Sequence, residues 1–146
     1  MPPPVSPAPL EYGPSLTLAD AKSIMAAAED FAVAGHLCVI IAIVDSAAQL
    51  VLLQRLDQAQ YGSIPVAIAK AQTAVKFKRP TKAFEDAVAG GGIGLRVLSI
   101  DGLCAIDGGL PLLRDGKVVG AIGVSGMAPV QDAQVAAVGV AAFSGP

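Results

Sequence analysis

Seven consecutive apolar residues, Cys38-Val39-Ile40-Ile41-Ala42-Ile43-Val44, stop abruptly at Asp45. A helix crossing a membrane needs about 20 such residues, so the run is too short to span and its β-branched content reads as a buried strand. A buried strand needs a layered domain around it, and the 146-residue length suits one domain. The composition supplies the cover. Hydrophobic residues make up 53% and charged residues 15%, yet aromatics are 4% and Trp is absent. The core material is therefore Ala, Val, Ile and Leu. A net charge of -2 on such an apolar chain argues against disorder. Two cysteines, Cys38 and Cys104, 66 residues apart, cannot staple a disulfide scaffold and are read as free buried thiols. The pI of about 5.2 argues against a nucleic-acid binder. The surplus of apolar surface points to burial in a homo-oligomer.

Residues 1–15 carry six prolines, Pro2, Pro3, Pro4, Pro7, Pro9 and Pro14, and are expected to form an extended or mobile arm. The rest, 16–146, reads as a single domain. No basic n-region or apolar h-region is visible, which favours the cytoplasm; a mature exported protein carrying an added Met would look the same. Thr17 with Asp20 forms a capping-box pair, and Leu18, Ala21, Ile24, Met25, Ala28, Phe31 and Ala32 recur at helical spacing until Gly35. Gln49 to Leu56 pairs with the first strand across a turn built on Asp45. Ser63, with Pro65 behind it, opens a second helix that ends before Pro80. Thr81 is expected to cap a short helix to Ala89. Gly90–Gly94 fits neither the P-loop nor the dinucleotide pattern and reads as a connector. Short strands are expected at Leu95–Ile100, Leu103–Ile106 and Leu110–Leu113, the last an edge strand because of Pro111. Asp115-Gly116 marks a hairpin leading into Lys117–Ser125, and Gln131–Phe143 forms the last helix. The order is α-β-β-α-(α)-β-β-β-α, an α+β domain with an antiparallel sheet flanked by helices.

Charge is segregated. Between Gln58 and Phe84 there is no Asp or Glu, while Lys70, Lys76, Lys78, Arg79 and Lys82 give that stretch +5 against -7 elsewhere. A compact basic patch beside the N-terminus of the Thr81 helix suits a small anionic ligand. His36 is the single histidine, so no multi-histidine metal site exists, and no carboxylate cluster replaces one. Catalysis would rest on polar groups: Lys70 as anchor or base, with Thr73, Ser125 and Asp132 beside it.

The strings Ala42-Ile43-Val44-Asp45, Arg55-Leu56-Asp57, Lys70-Ala71-Gln72-Thr73-Ala74, Arg79-Pro80-Thr81, Gly108-Gly109-Leu110-Pro111, Val119 to Gly126 and Gln131-Asp132 resemble, in that order, the GlcG/HbpS-type haem-binding or haem-degrading family. The resemblance covers about residues 16–143. It implies a profilin-like or PAS-like α+β fold, homo-oligomers such as dimers or octamers, and haem as a cofactor. Carried onto this chain, the family pocket falls at Lys70, Thr73, Thr81, Gly108, Gly109 and Ser125, next to Lys78 and Arg79. Two departures stand out. Asp107-Gly108-Gly109 replaces the family's Pro-Gly-Gly, and Ser125-Gly126-Met127 replaces its Ser-Gly-Gly. Haem iron would have to be held by His36, Cys38, Cys104, Met1, Met25, Met127, Tyr12 or Tyr61. The reading is a small-ligand-binding protein, holding haem or another anionic organic ligand near Lys70–Thr81 and Gly108-Gly109. The alternative is a cofactor-independent catabolic enzyme, an isomerase, tautomerase or hydrolase acting on an organic acid.

Overall fold

The computed structural model describes residues 8–144. Four strands, β1 (Ile40–Asp45), β2 (Leu50–Arg55), β3 (Gly109–Arg114) and β4 (Lys117–Ser125), form one antiparallel sheet in the order β2-β1-β4-β3. Helices α1 (Leu18–Ala34) and α4 (Pro129–Ser144) cover one face and α2 (Ser63–Phe77) the other. A short helix α3 (Lys82–Ala89) and a 3-10 helix η1 (Gly92–Ser99) link α2 to the second hairpin. The profilin-like α+β architecture expected from the sequence is present.

The apolar run explains the layering. In β1, Ile41 and Ile43 face α1 and α4, packing with Ile24, Met25, Ile122 and Val135. Ile40, Ala42 and Val44 face α2. Every residue from Val39 to Val44 is fully buried, so β1 is the central strand that the sequence demanded. The cap and turn signals also hold. Thr17 and Asp20 exchange both capping-box hydrogen bonds, at 3.1 and 2.9 Å. Asp45 Oδ1 accepts from the backbone N–H of Ala47 and of Gln49, each at 2.9 Å. Asp115 and Gly116 both adopt positive φ, 54° and 75°, as a tight hairpin turn requires. Pro111 lies in β3, at the sheet edge.

Three expectations fail. Leu95–Ile100 and Leu103–Ile106 are not strands. Gly91 and Gly92 take positive φ (67° and 58°) and turn the chain back onto α3, where Gly94 lies so close that a Cβ would collide with the Ala87 carbonyl. A short apolar run is compatible with either period, and here a glycine contact decides it. Thr81 does not cap its helix by side chain and is itself helical in backbone (φ -63°, ψ -20°), whereas Ser63 opens α2 as expected. Finally, residues 10–15 of the arm are docked. Glu11 and Gly13 exchange backbone hydrogen bonds with Val118, at 2.8 and 2.9 Å, and Tyr12 Oη donates to Val75 O at 2.7 Å. Pro2, Pro3, Pro4 and Pro7 lie outside the described residues.

α2 approaches the sheet over small residues: Ala67, Ala71 and Ala74 against Ala121 and Gly123. A Cβ at Gly123 would run into the Ala67 carbonyl and lie 2.5 Å from Ala71 N. Replacing a strand glycine by alanine normally gains about 0.5–1 kcal/mol. Forcing α2 off the sheet costs about 1–3 kcal/mol or more, so the clash wins. Gly123→Ala is therefore expected to lower the urea midpoint, whereas Gly116→Asn, in an open positive-φ turn, leaves it nearly unchanged.

Candidate functional site

Lys70 is the largest fully buried side chain. Its stem runs from α2 past the end of β4, and its ammonium donates to Val124 O at 2.9 Å and to Asp132 Oδ2 at 3.2 Å. Asp132 sits in the first turn of α4; its other oxygen accepts the Met127 N–H at 3.0 Å. Lys70 and Asp132 are each 1% exposed. The pair forms the floor of an open cleft of about 450 Å³ whose walls include Ser63, Val66, Ile106, Ser125 and Met127. Burial raises the Asp132 carboxyl above its usual range, against the opposing pull of the Met127 N–H and the Lys70 charge.

Two helix N-termini open onto this cleft, because Gly62 and Ser63 begin α2 and Pro129 begins α4. The first turn of α2 has no acidic residue and no side-chain cap. The ends of two aligned peptide dipoles thus favour negative charge here. Ser63 Oγ accepts from Gln60 Nε2 at 2.9 Å and keeps its own proton to donate. Lys70 uses two of its three donors. Ser125, only 6% exposed, adds its hydroxyl to the cleft wall. The cleft therefore presents donors above a neutralised floor.

The residues expected at the site separate into three places. Lys70, Ser125 and Asp132 line the cleft. Gly108, Gly109, Thr73 and Thr81 brace it from behind. A Cβ at Gly108, whose φ is 128°, would lie 2.9 Å from Lys70 Nζ, and one at Gly109 would strike the Lys70 carbonyl. Thr81 Oγ1 accepts the Gly109 N–H at 2.9 Å, and Thr73 Oγ1 accepts the Cys104 N–H at 2.9 Å. Lys78 and Arg79 lie elsewhere: Lys78 Nζ bonds Leu10 O at 2.5 Å beneath the Tyr12 ring, and Arg79 lies over Phe84. The compact basic patch expected from the sequence does not form. Lys70 points inward to a carboxylate, and Lys82 is held by Glu85 and Asp86. The helix ends that serve the cleft belong to α2 and α4, not to the Thr81 helix. Gln60 and Ser63 went unrecognised as site residues, and the uncapped Gly62-Ser63 start of an acid-free helix was the signal available; Met127, noted in the sequence as a departure from the family motif, does line the cleft.

Asp107 holds the Gly108 N–H at 2.9 Å, and burial raises its carboxyl. Both cysteines are free thiols, half-buried, and burial pushes the Cys104 thiol up, away from the thiolate. Exposed His36 and half-buried Cys38 line a separate cleft of about 350 Å³ with Glu29, Arg55 and Asp57. Among the described residues no group of three or more His, Cys, Asp or Glu could hold a metal ion, and no helix is long and apolar enough to cross a membrane.

A family model described as "Haem degrading protein HbpS-like" matches residues 16–141. The chain belongs to the HbpS-like family. It is 35% identical over 132 residues to a 15.0 kDa protein of Citrobacter freundii described as uncharacterized and encoded in the dhaT-dhaS intergenic region, covering 89% of this chain and 93% of that one. A double mutant of HbpS from Streptomyces reticuli superposes with a TM-score of 0.81 at 30% identity, over 97% of each chain. The PduOC:heme complex superposes with a TM-score of 0.79 at 31% identity, over 88% of this chain and 94% of that one. A haem complex is thus found among the solved structures similar to this chain, and the family resemblance read from the motifs is correct.

Breaking one side of the Lys70–Asp132 pair leaves a buried charge uncompensated. Asp132→Asn should cost about 3–5 kcal/mol at neutral pH, while the double variant Lys70→Met with Asp132→Leu should be near neutral or stabilising. Because the folded state raises the Asp132 value, its proton is held more tightly there than in the unfolded chain. Its contribution to stability is present below the ordinary carboxylate range and is lost as pH rises through the raised value. Urea midpoints followed across pH should show this slope in the wild type and lose it in the double variant.

Proposed function

We propose that the protein binds a small organic anion in the cleft over Lys70 and Asp132. The observation that carries this reading is the meeting of two helix N-termini over a buried ammonium whose third donor is uncommitted. A carboxylate seated there would take the Lys70 donor and the hydroxyls of Ser63 and Ser125. Thr73, Thr81, Gly108 and Gly109 would hold Lys70 in place without touching the ligand. A buried ion pair is a poor stability device compared with well-packed apolar residues, so its retention at the floor of an open cleft is better explained by binding.

The haem complex of PduOC supports haem as a ligand for the family. In this chain the Lys70 cleft suits a smaller anion better. Met127 is its one side chain of a type that ligates haem iron, and its one cation is already paired. Exposed apolar residues such as Val33, Leu50, Leu98 and Val130 support assembly as a homo-oligomer.

A second reading has one observation in its favour. A carboxyl raised by burial, beside an ammonium that could steady a carbonyl oxygen, suits cofactor-independent proton transfer on a small oxo acid. Asp132 would take a proton from the carbon next to the carbonyl, and Lys70 would hold the enolate oxygen. Deuterium uptake into the pyruvate methyl group in D2O at no more than the buffer rate would sink this reading.

Acetate, lactate and pyruvate are the first ligands to titrate. At least one should shift the amide resonances of Ser63, Ser125 and Met127 saturably, and the double variant Lys70→Met with Asp132→Leu should lose that response while staying folded. Haemin titrated in parallel reports on the family ligand through its Soret band. If no acid moves the cleft resonances, the cleft is not an anion site.

A further inference from the structure

A second concavity, sharing no residue with the Lys70 cleft, lies between α3 and η1. Its volume is about 670 Å³, within the range of small-molecule sites. Phe77 and Phe84 form part of the lining, edge to face, with ring centroids 5.3 Å apart. Ala83, Ala87, Ile93 and Val97 add further apolar surface, and Ile93 is 76% exposed. Gly94, in contact with the Ala87 carbonyl, ties η1 to α3 and so sets the width of the groove. An eight-residue 3-10 helix with no buried residue is unusual. Its apolar side chains, folded but uncovered, make an apolar wall.

The charged groups on this groove are of one sign. Arg79 and Arg96 line it, and no Asp or Glu does. Arg79 is pre-oriented: its Nε donates to Phe77 O at 2.9 Å, and its guanidinium carbon lies 5.6 Å from the Phe84 ring centre. Its Nη groups make no hydrogen bond among the described residues, and neither arginine has a carboxylate within 4.0 Å. The nearby acids of α3, Glu85 and Asp86, are taken by Lys82.

We propose that this groove is a binding site for an amphipathic carboxylate, with its apolar part on Phe77, Phe84 and Ile93 and its carboxylate on the guanidinium groups of Arg79 and Arg96. No His, Cys, Met or Tyr lines the groove, so its occupant is not held through a metal. A second copy of the chain is a worse fit. A twofold contact presents the same patch from both sides, which would bring four guanidinium groups together with no carboxylate in either patch.

Decanoate tests the proposal, with decanol as its uncharged counterpart. The chain has no Trp, so displacement of anilinonaphthalene sulfonate can be read by fluorescence without interference. One decanoate should bind per chain, at least about tenfold more tightly than decanol, the margin expected for charge-assisted hydrogen bonds. Arg79→Gln and Arg96→Gln should each erase most of that preference. Lys76→Gln, exposed and outside the groove, should keep it. Ala83→Leu, which fills the groove from an exposed position, should abolish binding. Equal affinity for the acid and the alcohol would overturn the proposal, as would full binding by Ala83→Leu. So would sedimentation showing a dimer that Ile93→Asp dissociates and decanoate does not. The small-acid titration of the Lys70 cleft is unaffected by any of these results, so the two sites stand or fall separately.

Discussion

The Nζ of Lys70 is held where α2, the end of β4, the Gly108 turn and the first turn of α4 meet. It satisfies Val124 O, neutralises Asp132, and leaves no room for a side chain at Gly108. An ammonium cannot lie buried without such partners, because unpaired it would cost several kcal/mol in desolvation. The position of Lys70 therefore obliges α4 to begin where it does, with Asp132 in its first turn. It also obliges glycine at 108, in the turn before β3, and at 109, its first residue. The cleft is the space left open above this junction.

That junction requires α2 to lie very close to the sheet. Ala67 and Ala71 pack over Gly123, and a larger residue would lift the helix. The other face is built differently, with Ile, Leu, Met and Val from α1, α4 and the strands filling a deeper layer. The scarcity of aromatics follows from the first arrangement. Large rings cannot enter an interface set by alanine and glycine, and Phe77 and Phe84 pack at the edge of the fold instead. There they line the groove that carries Arg79 and Arg96.

Much of the architecture was legible from local rules. β1, the capping box at Thr17, the Asp45 turn, the Asp115-Gly116 hairpin and the edge position of Pro111 are each decided by a few neighbouring residues, and each occurs as read. The errors share a cause. Leu95–Ile100 has the composition of a strand, but a close contact between Gly94 and α3, distant from that composition, folds it as a 3-10 helix. Thr81 has the right place for a helix cap, but Gly109 from another strand claims its hydroxyl.

Residue types and their spacing were enough for the α+β class, the central buried strand, the family, and Lys70, Ser125 and Asp132 as polar residues of interest. How those three residues stand to one another came from packing. Lys70 counts as one more positive charge in a basic stretch until the fold carries its side chain 62 residues along the chain to Asp132. Linear charge patterning records sign and spacing, but not which face a side chain leaves from or what meets it there. Burial and pairing are properties of packing. They turned an expected surface patch into an internal ion pair, and left two other cations, Arg79 and Arg96, without a carboxylate partner among the described residues.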